Sequence, residues 1–341
     1  MHTLIGLLII AAGSFGQSSS YVPIRGVRAW SWENFWMVQG IFAWLVFPFA
    51  GALLSLPEGI SLMTVLSAGS AWKSVMYGFL WGIGGLTFGL SMRYLGVALG
   101  QSIALGTCSA FGTLLPALFA GTDLLHGDGL HLLIGVAVTV AGIAVIGYAG
   151  SLKSRNMSEE AKREAVKDFA LTKGLAVALL SGLMSACFAL GLDAGAPVRE
   201  KMLVSGATPL LAGLPVIFLV TAGGFVTNAA YCLFMNWRNR SGHEYFDAGG
   251  RQAAVNVFFC ALAGGLWYSQ FFGLETGKSF LQENPVLLAF AWSILMSLNV
   301  LFSNLWGIVL KEWKGCGGLA VTVLAAGLAI LLFSVFFPYL S

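Results

Sequence analysis

Amides, hydroxyls and aromatic rings recur inside long apolar runs of this chain. Polar groups in hydrocarbon are costly and usually face the interior of a helix bundle. Gln17 ends a stretch that opens the chain, Gln39 interrupts a second, and Gln101 opens a third. Asn228, Gln270, Asn299 and Asn304 lie within later runs, with Gln270 close behind Trp267 and Tyr268. An uncharged ligand rich in hydroxyls needs amides and hydroxyls to hydrogen-bond it and aromatic faces to pack on its C–H surface. The Trp267, Tyr268 and Gln270 group supplies both, and Gln17, Gln101 and Asn228 add amides. The same groups can also hydrogen-bond helix to helix, so scaffold and binding roles both stand at this point.

Intramembrane carboxyl groups are natural proton carriers, because withdrawal from water favours the protonated form. Asp193 and Glu275 are the coupling candidates, with Glu283 a little further on and Lys278 near enough to pair with either glutamate. Each acid could equally mark a helix end. His126, His131 and His243 fall between apolar runs. No HExxH, GxSxG or phosphate loop occurs, and Gly82 to Gly89 lie inside an apolar run, where a nucleotide loop does not belong. The five cysteines form no CxxC pair, so neither a disulfide framework nor a zinc site is expected. The chain reads as no enzyme: no catalytic residue, no metal and no cofactor are expected beyond a proton as coupling ion.

The elements that must position these groups follow from composition. The chain of 341 residues is 57% hydrophobic and 10% charged, with a mean hydropathy of +0.83. Globular domains carry about 25% charged residues, so this chain needs lipid as solvent. Apolar runs fall near 3–21, 34–56, 73–94, 98–120 and 131–150, then near 174–196, 209–235, 252–275, 285–310 and 318–340. Each suits a spanning helix of roughly 20 residues, and they are too long and continuous for barrel strands. The first lacks a preceding Lys or Arg, so it reads as a retained span and not a signal peptide. The net charge of +3 gives no reason to expect a nucleic-acid partner; the partners expected are the lipid bilayer and a small solute.

Cytoplasmic loops collect Lys and Arg. Fourteen basic residues, six of them in Lys153–Lys173, fall in the odd-numbered loops; only Lys73, Arg199, Lys201 and Lys278 fall in the even ones. Both termini are therefore expected outside, in the periplasm. The charged segment 151–173 divides the chain into 1–150 and 174–341, five spans each. An odd number per half makes equivalent helices run in opposite senses, the layout of inverted repeats. Gly78, Gly82, Gly85 and Gly89 share one face of the third run, a surface for close helix packing. Gly135, Thr139 and Gly142 in the fifth run and Gly318, Thr322 and Ala325 in the tenth form similar faces, suited to a neighbouring helix or to a homodimer.

Several stretches resemble the L-rhamnose–proton symporter family of the drug/metabolite transporter superfamily. They are Tyr21-Val-Pro with Trp30-Ser-Trp-Glu33, then Trp81-Gly-Ile-Gly84 and Gly89-Leu-Ser-Met-Arg-Tyr-Leu-Gly96. Later come Gly265-Leu-Trp-Tyr-Ser-Gln-Phe-Phe272 and Leu310-Lys-Glu-Trp313. They keep family order over nearly the whole chain. The resemblance implies an all-α protein of ten transmembrane helices in two inverted halves and a central cavity. It also implies proton-driven sugar uptake across a bacterial inner membrane. It adds Trp81 to the expected substrate contacts, beside Gln17, Gln101, Asn228, Trp267, Tyr268 and Gln270.

The resemblance breaks at the ninth run. The family pattern there places tyrosine, aspartate and histidine around a Ser-Trp pair. Here the stretch reads Asn284-Pro-Val-Leu-Leu-Ala-Phe-Ala-Trp292, and Leu295 stands in place of the histidine. Asp193 stands where the pattern has asparagine. A buried sugar hydroxyl without its partner loses about 1–3 kcal/mol, so the expected substrate is L-rhamnose or a related monosaccharide. The alternatives are a metabolite or drug exporter of the same superfamily, and a membrane sensor that keeps the fold without transport.

Overall fold

The computed structural model describes residues 2–67, 69–156, 169–247 and 249–340; most of the charged segment 151–173 lies outside them. The described residues are helical and contain no strand. Ten helices are long and apolar enough to cross a membrane. They are α1 (His2–Ser19), α2 (Trp32–Leu54), α3 (Ala71–Leu95), α4 (Val97–Phe119) and α5 (Gly127–Asn156), then α6 (Leu171–Val204), α7 (Leu214–Asn239), α8 (Gly249–Ser279), α9 (Pro285–Val309) and α10 (Gly318–Leu340). Only a hydrogen-bonded helix or a closed barrel satisfies the backbone in hydrocarbon, which is why apolar runs became helices.

Two spans depart from a plain helix. In α2 an α-helical start (Trp32–Gly40) gives way to a π-helical turn (Ile41–Val46) before the helix resumes at Phe47–Leu54. Pro48 supplies the local reason. Its ring has no N–H and would crowd the carbonyl four residues back, at Trp44, and the wider turn relieves that crowding. The sixth run, expected to end near 196, continues to Val204 in three pieces, Leu171–Ser185, Cys187–Ala194 and Ala196–Val204. Pro197 sits at the start of the last piece, where its missing donor costs nothing. Between α3 and α4 the chain turns at Gly96, whose φ of 86° is open to glycine and strained for other residues.

The chain forms two compact units: residues 1–83 with 191–280, and residues 84–190 with 281–341. The first holds α1, α2, α7, α8, the start of α3 and the end of α6. In it α1 lies along α8 and α2 packs on α7. Glycines allow the close approaches. A Cβ at Gly13 would meet the Ser269 carbonyl, and one at Gly78 would collide with the Val220 carbonyl. Gly82 likewise abuts Gly224 and Thr227, so Gly78 and Gly82 of α3 form a packing surface for α7.

The second unit holds α4, α5, α9, α10, the end of α3 and the start of α6. There α4 packs on both α6 and α9, and α5 lies along α10. Gly142 of α5 opposes Leu331 and Gly327 of α10. Asn284 caps α9 by accepting from Leu287 N at 3.1 Å, with Pro285 following. Gly318, Thr322 and Ala325 of α10 are exposed.

Candidate functional site

The first unit gathers four tryptophans from three helices. Trp44 of α2 lies edge-on to Trp81 of α3 (5.9 Å between ring centroids, 89° between planes) and to Trp267 of α8 (6.1 Å, 84°). Trp81 and Trp267 face each other at 5.7 Å with a 35° tilt. Trp36 closes the group against Trp44 at 5.6 Å. Two glycines seat the rings: a Cβ at Gly40 would strike the Trp44 indole, and one at Gly224 the Trp81 indole. All four side chains are at most 9% exposed. Indole faces at this depth offer flat apolar surface with a polar edge, the surface that the C–H face of a neutral polyol requires.

The polar edges are used unequally. Trp36 Nε1 donates to Asn228 Oδ1 at 2.9 Å, and Asn228 Nδ2 donates to the carbonyls of Gly82 at 3.0 Å and Gly224 at 2.9 Å. The Asn228 amide thus ties α2, α3 and α7 together, with both its atoms engaged. Trp44 Nε1, Gln39 Oε1 and the Tyr268 hydroxyl are buried without a hydrogen-bond partner among the described residues. Gln270 Nε2 donates to the Trp267 carbonyl on its own helix at 3.1 Å. Gln17 is buried on α1, and its Oε1 accepts from Ser18 Oγ at 3.3 Å.

Two turns beyond Tyr268 on the same face of α8 stands Glu275, 5% exposed. Lys278 Nζ lies 3.4 Å from Oε1 and Arg199 Nε 3.9 Å from Oε2. A Cβ at Gly213 would collide with the carboxylate, so the pocket is cut to its size. Oε2 is buried and accepts no hydrogen bond from the described residues. Asp193, by contrast, is exposed near the end of the middle piece of α6. Geometry therefore brings Tyr268 and Glu275 onto one face and leaves Asp193 on the surface.

At the other end of α2 the Trp30-Ser-Trp-Glu33 stretch makes a clasp. Glu33 Oε1 accepts from Asn239 Nδ2 at 2.9 Å and Ser241 Oγ at 2.6 Å. Glu244 Oε2 accepts from Ser31 N at 2.5 Å and Asn34 Nδ2 at 2.8 Å. Donors meet both carboxylates, so these acids hold the start of α2 to the α7–α8 connection. Burial pushes the neighbouring Tyr245 hydroxyl up to about 12, and it stays neutral.

The second unit carries a hydrogen-bonded row between α4 and α9. Ser303 Oγ donates to Gln101 Oε1 at 2.5 Å, Asn304 Nδ2 donates to Ser102 Oγ at 2.7 Å, and Ser109 Oγ meets Ser293 Oγ at 2.9 Å. Gln101 Nε2 and Asn304 Oδ1 are buried without a partner among the described residues. Trp292 stacks on Phe188 at 5.8 Å and 16°, with Gly112 against its indole N–H edge. Leu287, Phe290 and Leu295 are fully or nearly fully buried, so one face of the apolar stretch of α9 is core.

Sequence reasoning had singled out Trp81 and Trp267 but neither Trp36 nor Trp44. Their signal was present. Trp32, Trp36, Gly40 and Trp44 recur every four residues, a spacing that sets each above its neighbour one turn away.

Ten candidate spans around a buried aromatic box and buried amides describe a polytopic helical membrane protein. Comparison with known proteins then makes the family specific. A family model described as L-rhamnose-proton symport protein (RhaT) matches residues 2–337. Proteins named L-rhamnose-proton symporter from Yersinia pestis (strain Pestoides F) and Yersinia pseudotuberculosis serotype O:1b are each 32% identical over 334 residues. Those matches cover 96% of this chain and 95% of each relative. The chain belongs to the L-rhamnose–proton symporter family and is a multi-pass protein of the bacterial inner membrane.

Proposed function

We propose that this protein imports L-rhamnose or a related monosaccharide together with protons, by alternating access. The observation that carries the reading is the family match over nearly the whole chain, joined by the tryptophan box of the first unit. In this reading the sugar packs its C–H face on Trp81 and Trp267, and the Tyr268 hydroxyl, Gln17 and Gln270 hydrogen-bond it. Asn228 supports the box from behind. Gln101 is a further amide proposed to bind the solute. The proton is the coupling ion and no other cofactor is required. Glu275, whose buried Oε2 accepts no hydrogen bond from the described residues and lies 3.9 Å from Arg199 Nε, is the leading coupling group and Asp193 the second.

The five-plus-five layout fits the halves 1–150 and 174–341 joined by the cytoplasmic linker 151–173, with both termini periplasmic. Three packings support internal symmetry: α2 on α7, α4 on α9 and α5 on α10, each pairing a helix with the one five places on. Inverted halves of this kind are the usual machinery of alternating access and agree with a place in the drug/metabolite transporter superfamily. The exposed small-residue face of α10 is where a second copy would pack in a homodimer.

A ligand that binds only the folded state stabilises it by about 2.7 kcal/mol at a hundred times its Kd. L-Rhamnose is therefore expected to raise the Tm of the detergent-purified protein in a concentration-dependent way, ahead of other deoxy sugars and hexoses. A Tm indifferent to every sugar in such a panel would overturn the reading.

A further inference from the structure

We propose that Trp44, presented by the π-helical turn of α2, is a specificity-determining residue whose indole N–H donates a hydrogen bond to one hydroxyl of the transported sugar. The inference rests on the sugar-transport reading above and names a donor within that site.

Three observations carry it. The first is the unequal use of two neighbouring indoles. Trp36 and Trp44 are both 4% exposed. Trp36 Nε1 is paired with Asn228 at 2.9 Å, whereas Trp44 Nε1 has no partner among the described residues. A buried N–H left unpaired is destabilising, and such a group asks for a reason. The second is position. Trp44 touches Trp36, Trp81 and Trp267, so its N–H belongs to the box whose rings provide the flat apolar surface.

The third observation is the backbone. Residues eight apart on a straight α-helix are offset by about 80°. The wider π turn at Ile41–Val46 reduces that offset and brings Trp44 beside Trp36, at 5.6 Å. Single π turns inside α-helices recur at functional sites. Gly40 leaves room for the ring on its own helix, so backbone and seat together fix the ring that carries the unpaired donor. The ligand class follows: a neutral molecule with an acceptor oxygen beside a C–H face, as in a pyranose.

The test uses the full-length purified protein, L-rhamnose, and a set of rhamnose analogues each lacking one hydroxyl. Trp44→Phe keeps an aromatic ring and deletes the N–H. The wild type is expected to bind one analogue about tenfold more weakly than rhamnose. Trp44→Phe is expected to bind rhamnose about tenfold more weakly than the wild type and no better than that same analogue. Trp36→Phe, which strands Asn228 Oδ1, should lower Tm more than Trp44→Phe does. Gly40→Ala, which leaves the indole intact but unseats it, should weaken rhamnose binding in the same direction and serves if Trp44→Phe does not fold.

Wild-type rhamnose affinity in either variant, or unchanged discrimination among the analogues in Trp44→Phe, overturns the inference while leaving sugar transport standing. Failure of the wild type to bind any sugar overturns the transport reading itself, and the inference with it.

Discussion

Glu275→Gln is expected to abolish sugar accumulation against a gradient while sugar counterflow across de-energised vesicles persists. Coupling requires a group whose proton affinity changes with the state of the transporter, and a coupling free energy runs both ways between proton and sugar. Glu275 is buried, its Oε2 accepts no hydrogen bond from the described residues, and Gly213 shapes the pocket around it. Glutamine fills the same space and cannot take up a proton. Loss of fold does not explain the expected result. Lys278 and Arg199 keep 26% and 36% of their side chains in contact with solvent, so neither cation is stranded in the interior when Glu275 loses its charge. Concentrative uptake equal to wild type in Glu275→Gln would move the role elsewhere; Asp193→Asn in the same assay then decides whether the exposed acid of α6 holds it.

The second large effect concerns stability. Asn228→Ala deletes the amide that receives Trp36 Nε1 and donates to the Gly82 and Gly224 carbonyls. The loss strands a buried indole N–H on α2 and removes a second hydrogen bond from a helical carbonyl on α3. Each unsatisfied group costs about 1–3 kcal/mol, although polar contacts between membrane helices average nearer 0.6 kcal/mol. A loss of about 2–4 kcal/mol in reversible unfolding from mixed micelles is expected. The Trp36→Phe, Asn228→Ala double variant should lose less than the sum of the singles, because both remove the same bond. A binding role alone would give the opposite pattern, weaker sugar affinity at unchanged stability. That pattern, or additive singles, would show that the three-helix tie carries little of the fold.

Hydropathy made the ten helices legible because lipid leaves an apolar run of spanning length no alternative to the helix. Part of the glycine face of α3 could also be read: Gly78 and Gly82 pack on α7 as helix spacing implies. The interruptions were harder. The π turn in α2 depends on how Pro48 crowds one carbonyl, and hydrophobic periodicity does not register such a detail. The extension of α6 past Pro197 was missed because a proline and three charged residues look like a loop until packing shows them continuing the span. For the site, residue type located Trp81 and Trp267 but could not separate binding from scaffold. Asn228 illustrates this: a buried amide reads alike as a ligand contact or a helix tie, and its three hydrogen bonds show the tie. Trp44 is the converse, an ordinary apolar residue in the sequence whose significance lies in a donor left without a partner.

The central claim is that proton and sugar move inward together. In energised cells or inside-in vesicles containing this protein, adding L-rhamnose should alkalinise the outside medium as protons enter with the sugar, and protein-free controls should show no change. An external pH that stays flat on addition of L-rhamnose and of related deoxy sugars and hexoses, with the protein folded and inserted, would contradict it.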